Sequence, residues 1–351
     1  MRYSIRQYLA KLEKSEKSQT RLLTSALNEL RRDEEAQNSI ILTWQISFDH
    51  IRTTRPSAVD LLSLMSMYKY QGIPEYLVKA EIHDTRAGAR LRSSLCGVEQ
   101  DSDASSSSSP SDDEDSEADN FEDDVLMLEN FYFISTMLSG TGFQMHRVIQ
   151  LAARVWLRSK DLYQDWACKG IERLDQTLPD GENENWERCR ELYPHVTSTV
   201  QLDEKEHSLA RASIQYKAAW FDWRRGLWSN AEALITKSYK IRTKVLGQED
   251  QRTLCASSIL ASVLRYQGKY EAAEEVDRQV LEVREKVLGK EHPDTLNSVW
   301  CLADLMEQLE RKCDALSLYE RAVTGLSTSL GAQHPHTIQF QGSLNRIQSQ
   351  Y

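Results

Sequence analysis

The chain has 351 residues, a formal net charge of −10 and 27% charged residues, a length that accommodates two or three domains. The charge is local, because Glu99 to Asp124 holds about 12 acidic residues and no Lys or Arg, leaving a nearly neutral body with no field to gather nucleic acid. No apolar run approaches membrane-spanning length, and the six cysteines lack paired C-x-x-C spacing, which suits reduced thiols in a cytoplasmic protein.

Residues 1–38 are charged and carry Leu22, Leu23, Ala26, Leu27 and Leu30 near helical spacing. Such a lightly apolar helix is marginal alone and is expected to dock on something. Ile41, Trp44, Phe48 and Ile51 then form one helical stripe. Pro56 suits the first turn of a second helix through Leu61, Leu62, Leu64 and Met65. Gly72 can end that helix, and Pro74 can open a short third one through Leu77. Residues 84–120 hold a serine run, Ser105 to Ser109, and the strip Asp112-Asp113-Glu114-Asp115. With so little to bury, this insert is expected to be disordered.

Order resumes near Phe121. Phe131 to Leu138 reads as a strand, Ser139-Gly140-Thr141-Gly142 as a turn, and Phe143-Gln144-Met145 as the returning strand. A helix through Val148, Ile149, Leu151, Ala152, Val155 and Trp156 follows. Three helices plus a β-hairpin make residues 39–158 a winged-helix-like module. Residues 159–202 read as two bridging helices, one through Leu162, Trp166, Ile171 and Leu174 and one starting near Trp186.

From residue 203 to 351 the chain repeats itself. Leu246-Gly247, Leu288-Gly289 and Leu330-Gly331 recur every 42 residues, and Ala231, Ala273 and Ala315 keep the same register. A fixed period of this size means stacked helical hairpins, none able to bury its apolar face alone. Ala273, Val276, Val280, Val283 and Val287 alternate steps of three and four, predicting one buried helix face. Ala219, Ala261 and Ala303 let paired helices approach closely, and a last helix caps the array. The whole is mainly α: a winged-helix-like module followed by a short α-solenoid.

The motif Gly268-Lys269-Tyr270-Glu271-Ala272-Ala273-Glu274, followed by Val287-Leu288-Gly289-Lys290-Glu291-His292-Pro293-Asp294-Thr295-Leu296, resembles the tetratricopeptide family in its kinesin light chain-like form. The first unit departs at Asp250-Gln251, where later units have His-Pro, and the third has Glu310 where earlier ones have glycine. The His-Pro pairs are explained by a proline opening each helix, not by metal. Taking Leu254, Leu296 and Ile338 as equivalent starts, the concave face should carry Tyr216, Trp220, Trp223, Arg265, Trp300 and Arg346. Aromatics interleaved with arginines suit an extended peptide, giving contact area and donors to its backbone or acidic groups. The competing reading buries each tryptophan between helices.

Ser39 to Phe48, Pro56 to Ser66, Gln71 to Glu75 and Phe143 to Gln150 together resemble the segment that joins nucleotide-binding and repeat domains in fungal NB-ARC or NACHT proteins of the NOD-like-receptor (NLR) kind. The resemblance implies that His146 senses a nucleotide β-phosphate, although Arg147 stands where the family usually has an acid. No G-x-x-x-x-G-K-[ST] occurs to cradle phosphates, so a truncated or split member is expected, with residues 1–38 as the tail of a lost nucleotide-binding domain. An incomplete gene beginning at an internal Met is the other reading.

No catalytic constellation is found, and no cofactor or metal is implied. Ser111 and Ser116 sit before acidic residues and fit an acid-directed kinase. The sequence thus points to a non-enzymatic interaction protein binding a partner protein or peptide in a solenoid groove. The alternative is a nucleotide-responsive switch subunit working beside a separate NTPase chain. DNA binding through the winged helix is disfavoured, because its candidate recognition helices carry few basic residues.

Overall fold

A computed structural model describes residues 40–79, 113–138, 140–202 and 208–349. The expected helical tail, Ser111 and residues 84–112 of the insert lie outside them. The chain divides into two compact units, Met1–Thr177 with Arg190–Lys205, and Leu178–Cys189 with Glu206–Tyr351.

In the first unit the elements run α1 (Ile40–Thr54), α2 (Pro56–Met67), β1 (Ile73–Pro74), α3 (Glu75–Val78), α4 (Asp113–Asn130), β2 (Ile134–Thr136), β3 (Gly142–Met145), α5 (Arg147–Ser159) and α6 (Tyr163–Thr177). Pro56 occupies the first turn of α2, where its missing N–H costs nothing. That helix stops at Met67, so Gly72, at φ +67°, does not end it; the glycine turns the chain into β1. Two residues, one of them proline, gave no strand signal. Yet β1 pairs with β3, opposing Ile73 to Phe143 and Pro74 to Gly142. The antiparallel order is β1-β3-β2, and the proline sits on an edge strand as its absent donor requires. Gly142 is obligatory, since a Cβ there would lie 2.6 Å from the Ile73 carbonyl oxygen.

Helix α4 corrects the extent of the disordered insert, because Asp113 to Asn120 are helical. Acidic residues at a helix N-terminus oppose the positive end of its dipole. Farther along, Arg55 anchors the helix: its guanidinium pairs with buried Asp124, with Asp123 at 3.0 Å and with the Asn120 carbonyl at 2.9 Å. Ser57 also donates to Asp124 at 2.7 Å. The core beneath is apolar, with Phe48, Ile51, Leu62, Met65, Leu128 and Leu157 buried and Phe48 edge-on to Trp156 at 4.7 Å.

The second unit is an α-solenoid of three helical hairpins and a last helix: α8 (Leu209–Arg224) with α9 (Trp228–Leu246), α10 (Gln251–Tyr266) with α11 (Tyr270–Val287), α12 (Pro293–Gln308) with α13 (Lys312–Ser329), then α14 (Pro335–Gln348). Helix α7 (Trp186–Thr199) begins in this unit and ends in the other. The predicted small residues do their work, Ala219, Ala231, Ala261, Ala273, Ala303 and Ala315 all being buried.

Each hairpin turn is the same. Gly226 and Gly268 take φ of 76° and 77°, and the next residue's N–H reaches back five positions, Leu227 to Asp222 and Lys269 to Leu264. In the third hairpin Glu310 adopts φ 59° and Arg311 reaches Met306, so the turn survives without glycine. The connections between hairpins are capped from side chains. His292 and His334 accept the N–H two residues on, Asp294 at 3.1 Å and His336 at 3.3 Å. Asp250, the expected departure, accepts the Arg252 N–H at 2.8 Å and replaces histidine in kind.

One predicted face needs correction. Val287 is 47% exposed, and the buried stripe of α11 is Ala273, Asp277, Val280 and Arg284. Two polar side chains occupy it, Asp277 meeting the charge of Arg265 and Arg284 serving the next hairpin. Arg284 donates to the Asp294 carbonyl at 2.9 Å and the Ser298 hydroxyl at 2.7 Å. One period earlier, Arg242 donates to the Arg252 carbonyl at 2.6 Å. The position one period later is Leu326.

Candidate functional site: an aromatic face on the repeats

Helices α8 and α10, the first of their hairpins, place aromatics next to one another. Tyr216, Trp220 and Trp223 follow at steps of four and three on α8, one face of a helix, with ring centroids 6.5 and 5.4 Å apart. The run continues from Trp223 to Tyr266 at 5.8 Å and from Tyr266 to Trp228, stacked at 5.9 Å. Tyr266 is 51% exposed and Trp228 38%. The sequence reading missed both. Tyr266 has Arg224 and Gln308 at its repeat-equivalent positions, and Trp228 is followed by Tyr270 but then by Lys312, so neither aromatic recurs through all three units.

Trp220 and Trp300 are half-buried, and each has an indole nitrogen that is buried without a hydrogen-bond partner. Trp220 also supports the segment before α7, since a Cβ on Gly181 would lie 2.6 Å from its ring. In the same segment Trp186 donates to the Gly181 carbonyl at 3.1 Å and stands edge-on to Phe221. Trp300 lies apart from the α8 cluster, stacked on Phe340 at 4.9 Å with His336 beyond it.

Both predicted arginines pair with carboxylates of the protein itself, although the Arg346 side chain stays 55% exposed. Arg265 is only 8% exposed and pairs with Asp304, and Arg346 donates to Glu307 at 2.9 Å. Tyr319 donates to the same Glu307 at 2.9 Å. An acidic partner would therefore have to displace an internal carboxylate to reach Arg265. Beneath this pair lies Asp277, whose carboxyl is pushed up to about 7 by burial against the opposing pull of Arg265 and Arg284. Burial likewise raises the Cys301 thiol beside it to about 12.

Elsewhere, His146 is exposed and caps α5, its Nδ1 accepting the Val148 N–H at 3.2 Å. Ser116 falls in the helical backbone of α4. Among the described residues, no three His, Cys, Asp or Glu side chains gather as a metal site, and no helix is long and apolar enough to cross a membrane.

Stacked helical hairpins with a continuous aromatic face define an α-solenoid of the protein-binding class, a fold that typically carries no chemistry. Residues 252–338 match the tetratricopeptide repeat family. A Nucleotide-binding leucine-rich repeat (NLR)-like protein of Hyaloscypha variabilis is 25% identical over 242 residues, 68% of this chain but 21% of that protein, so the chain spans about a fifth of this relative. Among solved structures, nearly identical TPR-like repeats of the kinesin light chain kind from Podosopora anserina are 23% identical, covering 55% of this chain and 84% of that one with a TM-score of 0.39. BtubC (BKLC) from P. vanneervenii is 16% identical, covering 55% and 76%, with a TM-score of 0.41. The repeats at residues 252–338 are thus of the tetratricopeptide kind, in a chain distantly similar to an NLR-like protein.

Proposed function

We propose that the solenoid binds a partner polypeptide over the aromatic face formed by Tyr216, Trp220, Trp223, Trp228 and Tyr266, and that it acts by binding and not by catalysis. The observation that carries this is the unbroken chain of five rings ending in two exposed ones. Large rigid rings give contact area at small entropic cost, so apolar or aromatic anchors of a peptide are favoured over acidic ones. Arg265 and Arg346, already paired, contribute fixed shape more than free charge. The test replaces the two most accessible members of the cluster, Trp228→Ala with Tyr266→Ala, and compares partners captured by full-length wild type and variant from the native organism. Specific partners should be lost while helical content is retained. An identical partner set would remove this face from consideration.

The first unit is, on the same proposal, winged-helix-like. It is supported by the order helix, strand, helix, helix and hairpin over α2 to β3, with β3 central in the sheet. An experimental structure in which β1 leaves that sheet would end this reading. The NLR-like relative makes an NTPase chain one partner to look for in the capture experiment. The capping role of His146 supplies its structural explanation without a nucleotide.

A further inference from the structure

The first unit holds a cavity of about 230 Å³ that the repeat-binding function does not use. Its wall comes from the end of α2, the first turns of α5 and the end of α7. Three of its nine lining residues are cations, Lys69, Arg147 and Arg154, and none is Asp or Glu. Gln150, Thr197 and Ser198 add amide and hydroxyl groups.

The wall is pre-shaped. Arg154 is only 3% exposed, and its Nε donates to the Ser66 carbonyl at 2.7 Å. Gln150 donates to the Ser66 and Tyr68 carbonyls at 3.1 and 2.6 Å. The Lys69 backbone N–H is held by His195 Nδ1 at 3.2 Å, and its ammonium lies 4.9 Å from the centre of the Tyr70 ring. Neither Lys69 nor Arg147 forms an ion pair with a described carboxylate. Lys69 and Arg147, like charges around one concavity, repel one another unless an anion enters.

We propose that this cavity binds a small phosphate-bearing anion. The guanidinium and ammonium groups match phosphoryl oxygens in charge and donor geometry, with the Ser198 hydroxyl beside them, while the Thr197 hydroxyl donates to the Pro194 carbonyl at 2.9 Å. The small volume of about 230 Å³ favours a free small polyphosphate over a phosphorylated chain. His146 does not line the cavity, so the site is distinct from the nucleotide sensor that the family resemblance implies.

The probe is inorganic pyrophosphate, titrated calorimetrically into the full chain at an ionic strength fixed with chloride. Saturable binding near one to one is expected. Lys69→Gln with Arg147→Gln, both off the buried core, should weaken it by about tenfold or more, as loss of charge-assisted hydrogen bonds implies. His146→Ala should bind like wild type. Absence of saturable heat would overturn the proposal, as would equal affinity in the folded double variant. Loss of binding in His146→Ala alone would transfer the site to that histidine and also overturn it.

Discussion

Glu310 holds the position that glycine occupies in the two earlier hairpins, at φ 59° against 76° and 77°. A side chain in this left-handed region crowds its Cβ against the backbone, a cost of about 1–2 kcal/mol, partly offset because glycine loses more entropy on folding. Glu310→Gly should therefore stabilise the solenoid by about 1 kcal/mol. Chemical denaturation followed by circular dichroism measures this, and an unchanged midpoint would mean the turn relaxes around glutamate without strain. The departure was visible in the sequence; its backbone conformation was not, because a turn type shows only when the glycine that betrays it is present.

At the scale of elements, helix starts are specified by whichever side chain can accept an N–H. Histidine does so at 292 and 334, aspartate at 250. Loss of such a cap costs about 1 kcal/mol. His292→Ala should lower stability by that amount, and His292→Asp should leave it nearly unchanged, both read from the same denaturation curves. Equal losses in the two variants would show that histidine packing, not capping, is what matters. Here period and proline placement made the helices legible in the sequence, whereas the buried stripe of α11 did not follow apolar spacing. Asp277 and Arg284 are inside because each meets polar groups of another helix, Asp277 the charge of Arg265 and Arg284 the Asp294 carbonyl and Ser298 hydroxyl, and a one-dimensional pattern does not contain that pairing. The aromatic face was half legible for the same reason: Tyr216, Trp220 and Trp223 share a helix, while Tyr266 and Trp228 join them only in space. Strand β1 was missed because its partner lies some 70 residues away, beyond the insert.

Across the molecule, two buried groups, one in each unit, respond to acid in opposite senses. His195 is buried, with Nε2 2.7 Å from the Gly72 carbonyl oxygen, and burial pushes its pKa down to about 4. Between that value and the ordinary value of 6.5 the unfolded chain takes up the proton more readily. The first unit thus loses stability as pH falls through this window, on the order of 3 kcal/mol in full. Asp277 is the reverse case, its raised carboxyl stabilising the repeats in acid and ceasing to do so as pH rises through about 7. Hydrogen exchange at several pH values should show faster opening of α2 near pH 4 than near pH 7, with the slope flattened in His195→Gln. Parallel profiles for wild type and variant would refute the assignment to this imidazole.

The recurring arginine has a mechanical corollary. Arg242 and Arg284 clasp the opening turn of the succeeding hairpin, but Leu326 offers α14 no such grip. Under thermal agitation the α13–α14 junction should therefore part before the earlier ones, which are the more durable seams.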